Sequence, residues 1–183
     1  MSLLQLFLVM FPDDYLEEVL IPETNKGLSV PMDLQEYMQW VGCWLYMACW
    51  VGIESRWDWW STTTPLMAKV APFRLNSIMS LNRFDSIFSV LRFTNREMPY
   101  EDGFLKMCQL EEAWNQNMDQ QFLPSWINVL DESMMEWFNT WSTGFMCVFR
   151  KPHPFGNERH AIFCALTSIL WRAHIVEDKD RPT

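Results

Sequence analysis

The sequence predicts an α+β chain, helical over its first two-thirds and strand-rich over its last third. Three observations lead there. Before Pro124 apolar residues recur at helical spacing, as in Phe84, Ile87, Phe88 and Leu91. After Pro124 they gather into short runs broken by turn residues. Composition favours a packed chain over a disordered one, since 49% of the 183 residues are apolar and 20% are charged. With 11 Trp, 13 Phe and 13 Met, the chain also has much large apolar volume to hide.

The apolar run Leu3 to Phe11 lacks a basic flank and a small-residue cleavage site, so it does not read as a signal peptide. Phe11 to Tyr15 starts a helix carrying Leu16, Val19 and Leu20, which Pro22 is expected to end before a turn at Glu23 to Gly27. Asp33-Leu34-Gln35-Glu36 fits a capping box, in which Asp33 and Glu36 satisfy orphan amides reciprocally. The helix from Leu34 to about Ile53 is apolar around most of its circumference and belongs inside a larger structure. Its uncharged part, Trp40 to Ile53, falls short of the ~18 residues of a membrane span. An aromatic loop follows at Arg56 to Ser61, and Ser80 to Phe84 begins the next helix.

Asn95 to Asp102, with Pro99, reads as a loop. A third long helix runs from Phe104 to about Phe122, with Glu111, Glu112 and Asp119 as a solvated face. Pro124 marks the change of texture and divides a helical domain, 1–124, from a strand domain, 125–183. The strand candidates are Trp126 to Leu130, ending at Asp131, then Phe145 to Phe149, His160 to Thr167 and Leu170 to Val176. Lys151 to Asn157, with two prolines and a glycine, is a turn.

Lys plus Arg total 14 and Asp plus Glu 23, for a net charge of -9. Phosphate binding needs positive charge, so this balance speaks against a strongly nucleic-acid-binding surface while leaving a local basic patch open. The five Cys are widely spaced without a C-x-x-C pair, which suggests a reduced intracellular compartment and apolar core roles. His153, His160 and His174 form no H-x-x-x-H pair and read as structural or merely exposed.

Asp131-Glu132-Ser133 is the feature with chemical potential. An acid at the end of a buried strand is costly unless paired, solvated or metal-bound. The plainer reading is a turn, or a cap for Met134 to Trp137. Lys151 suits a phosphate as a point charge, or is a solvated lysine before a proline turn, and Arg150 and Arg159 have the same standing. Trp57, Trp59 and Trp60 suit base stacking, but packing is the commoner role of such aromatics.

Four stretches, in order from Met32 onward, resemble piggyBac-type transposases and the host proteins derived from them. The first is Met32 to Tyr37 through Gly42, Trp44, Leu45 and Met47, closing in Arg56-Trp57-Asp58-Trp59-Trp60-Ser61. The second, Asn82 to Phe93, looks like the family's "S-R-x-R-F-x-x-I-x-x-x-L-x-F" helix. The third, Val129-Leu130-Asp131-Glu132-Ser133-Met134, is similar to its "V-D-E-x-M" strand end. The fourth, Arg150 to Glu158, looks like its "x-K-P-x-x-x-G" turn.

The resemblance implies a helical N-terminal region for dimerisation and DNA binding, followed by the first strands of an incomplete ribonuclease-H-like domain. It implies that Asp131 is the first catalytic Asp and a metal ligand, and Lys151, suited to phosphate as a point charge, is the expected DNA contact. The family's three acids hold two divalent ions, usually Mg2+, for cut-and-paste DNA transposition. Its second and third Asp have no counterpart here: Glu158, Glu177, Asp178 and Asp180 sit in no matching motif. The expectation is therefore a truncated transposase remnant, nuclear, inactive alone and holding no Mg2+ stably. Its expected partners are DNA, a second copy or a full-length transposase, with no membrane. The alternatives are a domesticated protein–protein interaction module without enzymatic activity, and a metal-dependent hydrolase completed by a second chain.

Overall fold

The computed structural model describes residues 3–50, 55–61, 74–95, 105–136, 138 and 144–176. The chain divides into two compact units, Leu16–Asn95 on one hand and Met1–Tyr15 with Arg96–Thr183 on the other. Among the described residues no helix is long and apolar enough to cross a membrane.

The unit Leu16–Asn95 is helical. Pro22 does not end the first helix as expected. A π-helical segment, Leu16–Leu20, runs into a helix at Ile21–Asn25 that carries Pro22 near its start. Proline has no amide to give and crowds the preceding turn, so the first turn of a new helical segment tolerates it. The next helix, Leu34–Cys49, begins where the sequence places it, because the Asp33 side chain accepts the Glu36 amide at 2.8 Å. The Glu36 carboxylate does not complete the reciprocal box. It takes two 2.7 Å bonds from Nε and Nη2 of Arg83 instead. A bidentate Arg–carboxylate pair is stronger than a neutral capping bond. The expected extension to Ile53 falls on residues outside those described.

Ser80 caps the helix Leu81–Val90, whose Phe84 and Ile87 are fully buried. Trp40, Trp44 and Trp60 surround the Phe84 ring at centroid distances of 5.5, 5.4 and 4.9 Å. Two of these indoles are satisfied: Trp40 Nε1 donates to the Phe84 carbonyl at 3.2 Å and Trp60 Nε1 to the Met79 carbonyl at 2.7 Å. Packing is thus the role of Trp59 and Trp60, while Trp57 is 63% exposed. Gly27 lies so near this last helix that a Cβ there would meet Val90 Cβ at 2.8 Å. Burial pushes the Cys43 thiol up to about 11, as suits an apolar core residue.

The other unit carries the sheet. We label its helices α1 (Leu3–Val9), α2 (Asp13–Tyr15) and α3 (Leu105–Gln121), and its strands β1 (Asn128–Glu136), β2 (Met146–Cys147), β3 (Phe155–Cys164) and β4 (Leu170–Ile175). The sheet is antiparallel. β3 is central, with β1 along one side and β2 and β4 along the other.

Helix α3 closes the β4 edge. Asn115 both accepts the Ala173 amide, at 2.9 Å, and donates to its carbonyl, at 2.8 Å. Glu111 accepts the Ile175 amide at 3.0 Å, and Asp119 pairs with Arg172 at 2.5 Å. Residues 111, 115 and 119 share one helical face, so side chains stand in for a missing strand. The solvated acidic face expected here is therefore an edge cover at Glu111 and Asp119. Burial holds the Glu111 carboxyl above its usual range, opposed by the Ile175 amide and His174.

The α+β class is the one expected, and Pro124 does lie between the last helix and the first strand. The compact units instead divide after Tyr15 and after Asn95, with α3 on the sheet side because of its bonds to β4. Strand limits move too. β1 runs on through Asp131 to Glu136, and β3 starts at Phe155, inside the expected turn. The turn itself is closed by Val148 and Lys151, whose amides reach Pro154 and Val148 carbonyls at 2.7 and 2.9 Å.

Candidate functional site

Asp131 lies inside β1 rather than at its tip, because Glu132 to Glu136 keep their register against β3. It faces Ala161, and Glu132 faces His160. Neighbouring residues of a strand point to opposite sides, so the two acids serve different faces of the sheet. The reading of Asp131 and Glu132 as a turn or helix cap is thereby overturned. Asp131 stays exposed and accepts the Glu132 amide on Oδ1 at 2.9 Å.

The proline turn comes back onto β1. Lys151 Nζ donates to the Glu132 carbonyl, Arg150 Nη2 meets Glu132 Oε2 at 3.3 Å, and His153 Nδ1 lies 3.2 Å from Glu136 Oε1. Leu130, Asp131, Glu132, Arg150 and Lys151 line one open depression of about 330 Å³. The fold therefore joins two candidates, Asp131 and Lys151, that lie well apart in sequence. Chemically the depression offers one free carboxylate and two cations, a set able to hold a cation and a phosphate oxygen side by side.

The other candidates lie elsewhere. Arg159 faces Ser133, and its Nε is buried without a hydrogen-bond partner among the described residues. Trp57, Trp59 and Trp60 belong to the helical unit. Glu177, Asp178 and Asp180 fall outside the described residues. Sequence reasoning missed a second grouping: the ligand atoms of Glu132, Glu158 and His160 all lie within 4.8 Å of one another. Strand register alone brings them together, so the available signal was an E-x-H on one strand facing a Glu on the next.

A paired divalent-metal centre at Asp131 needs further carboxylates converging on it. Among the described residues none does, since the one three-ligand grouping leaves Asp131 out. The residues present do not make up such a centre, and no chemical step through it can be derived from them.

The Transposase IS4 family matches the chain over residues 3–183. No curated protein matches. Among solved structures, a piggyBac transposase synaptic complex with hairpin DNA is similar, with a TM-score of 0.74 and 18% sequence identity. The likeness covers 98% of this chain and 39% of that one, so this chain spans well under half its length. At that identity the likeness establishes a shared fold. The family match covers nearly every residue, and the chain belongs to the Transposase IS4 family.

Proposed function

We propose that this chain is a transposase-derived protein related to cut-and-paste DNA transposition, carrying one metal-holding carboxylate and a phosphate-facing cation, and unable to cut DNA by itself. The observation that supports this is the depression that Asp131 and Lys151 both line, whose other acid, Glu132, is paired with Arg150. Asp131 is the first catalytic acid of the family by motif. Lys151, with Arg150, is the contact to DNA phosphate. A nuclear location follows from acting on DNA.

Retention of duplex DNA over a range of salt concentrations tests the DNA half of this reading. The wild-type chain binds weakly and loses affinity steeply as salt rises. Lys151→Ala weakens binding across all sequences and lowers the salt slope by about one. Salt-insensitive binding, or none at all, contradicts the proposal.

A second reading, a protein–protein interaction module without DNA contact, has its own support. Leu123, Trp126 and Phe149 are 93%, 89% and 87% exposed. Large apolar side chains at that exposure are suited to association. Co-sedimentation with a full-length family member, or self-association relieved by Trp126→Ser, would favour it, and retention of DNA would not depend on Lys151.

A further inference from the structure

On the face of the sheet opposite Asp131, Glu132 stands directly across from His160, and Glu158 lies two residues before His160 on β3. Residues two apart on a strand share a face, so all three side chains project to the same side. Their ligand atoms lie within 4.8 Å of one another.

Glu158 makes this more than a gathering of surface acids. It is 6% exposed. His160 Nε2 lies 4.0 Å from its Oε1, beyond hydrogen-bond range. Among the described residues its carboxylate has no hydrogen-bond partner. A buried carboxylate is normally paired or bound to a metal. Arg150 touches Glu132 Oε2 at 3.3 Å, which leaves Oε1 to bind. His174 faces His160 from β4 but lies 3.6 Å from Glu111 and is not one of the three.

We propose that Glu132, Glu158 and His160 form a binding site for one zinc-class divalent ion, pinning β1 to β3 behind the Asp131–Lys151 depression. The donor set decides the ion. One imidazole nitrogen with two carboxylate oxygens suits zinc, whereas Mg2+ takes oxygen ligands and keeps its waters. Two carboxylates and a neutral imidazole balance the charge of one divalent ion. Zinc ligands at about 2.0–2.2 Å lie roughly 3.4 Å apart in a tetrahedron, so side-chain rotation closes the site without moving the strands. Three protein ligands leave the fourth position to water.

The test is calorimetric titration of the 183-residue chain with zinc chloride, paired with the absorption spectrum of its cobalt-loaded form. Wild-type protein takes up one equivalent, and its cobalt spectrum lacks a thiolate charge-transfer band. His160→Ala and the surface variant Glu132→Gln each weaken zinc binding by more than about tenfold. Asp131→Ala leaves it unchanged, which keeps this site separable from the proposed DNA function. Zinc uptake that is absent, insensitive to Glu132→Gln and His160→Ala, or accompanied by a thiolate band overturns the proposal.

Discussion

Gly156 has φ of 144° and sits where β3 pairs with β1 on one side and β2 on the other. L side chains rarely adopt that conformation, so Gly156→Ala should cost roughly 1–3 kcal/mol, measured by urea unfolding. Glu111 carries a different constraint. Burial raises its carboxyl above the ordinary value in the fold, so the folded chain takes up that proton before the unfolded one. The stability it contributes is fully present below the unfolded pKa and is lost as pH rises through the folded one. Glu111→Gln still accepts the Ile175 amide; it should stay within about 1 kcal/mol of wild type near neutrality and abolish the gain on acidification. Glu111→Ala leaves that amide unpaired and should cost about 1–3 kcal/mol. Thermal melts across pH separate the two variants. Asp131 and Lys151 each sit in a short motif, so the sequence singles them out one by one, while only the fold sets them in one depression. The grouping of Glu132 with Glu158 and His160 was not legible, since only the register of β1 against β3 brings Glu132 to the other two.

Helices were easier to read than strands. Asp33 and Ser80 cap where their side chains say, because capping is decided within one turn. The partner of Glu36 was hidden, since Arg83 reaches it from a distant helix. β1 was read as ending at Asp131 because charged residues there break the apolar run. It continues because β3 offers main-chain partners whatever the side chains are. Likewise the acids of α3 looked solvated because the sheet edge they cover lies over 50 residues away. The helix Leu81–Val90 depends on Phe84, which fills the space among three indoles. Phe84→Ala should destabilise by about 3–5 kcal/mol, seen as an early thermal transition with loss of near-ultraviolet tryptophan dichroism.

For the whole molecule, a net charge of -9 leaves the basic turn over β1 as the place where the proposed attraction to DNA would act. The family match places the chain among transposases, and among the described residues no three-ligand acidic grouping includes Asp131, where phosphoryl transfer by paired ions needs several acids. We hold that Asp131 does not cut DNA alone. The direct measurement is a nicking assay of the pure 183-residue chain on end-labelled hairpin and blunt duplex DNA, with Mg2+ or Mn2+ supplied. The account predicts intact DNA in every lane, for wild type and Asp131→Ala alike. Metal-dependent strand breaks from the wild type that vanish in Asp131→Ala would contradict it.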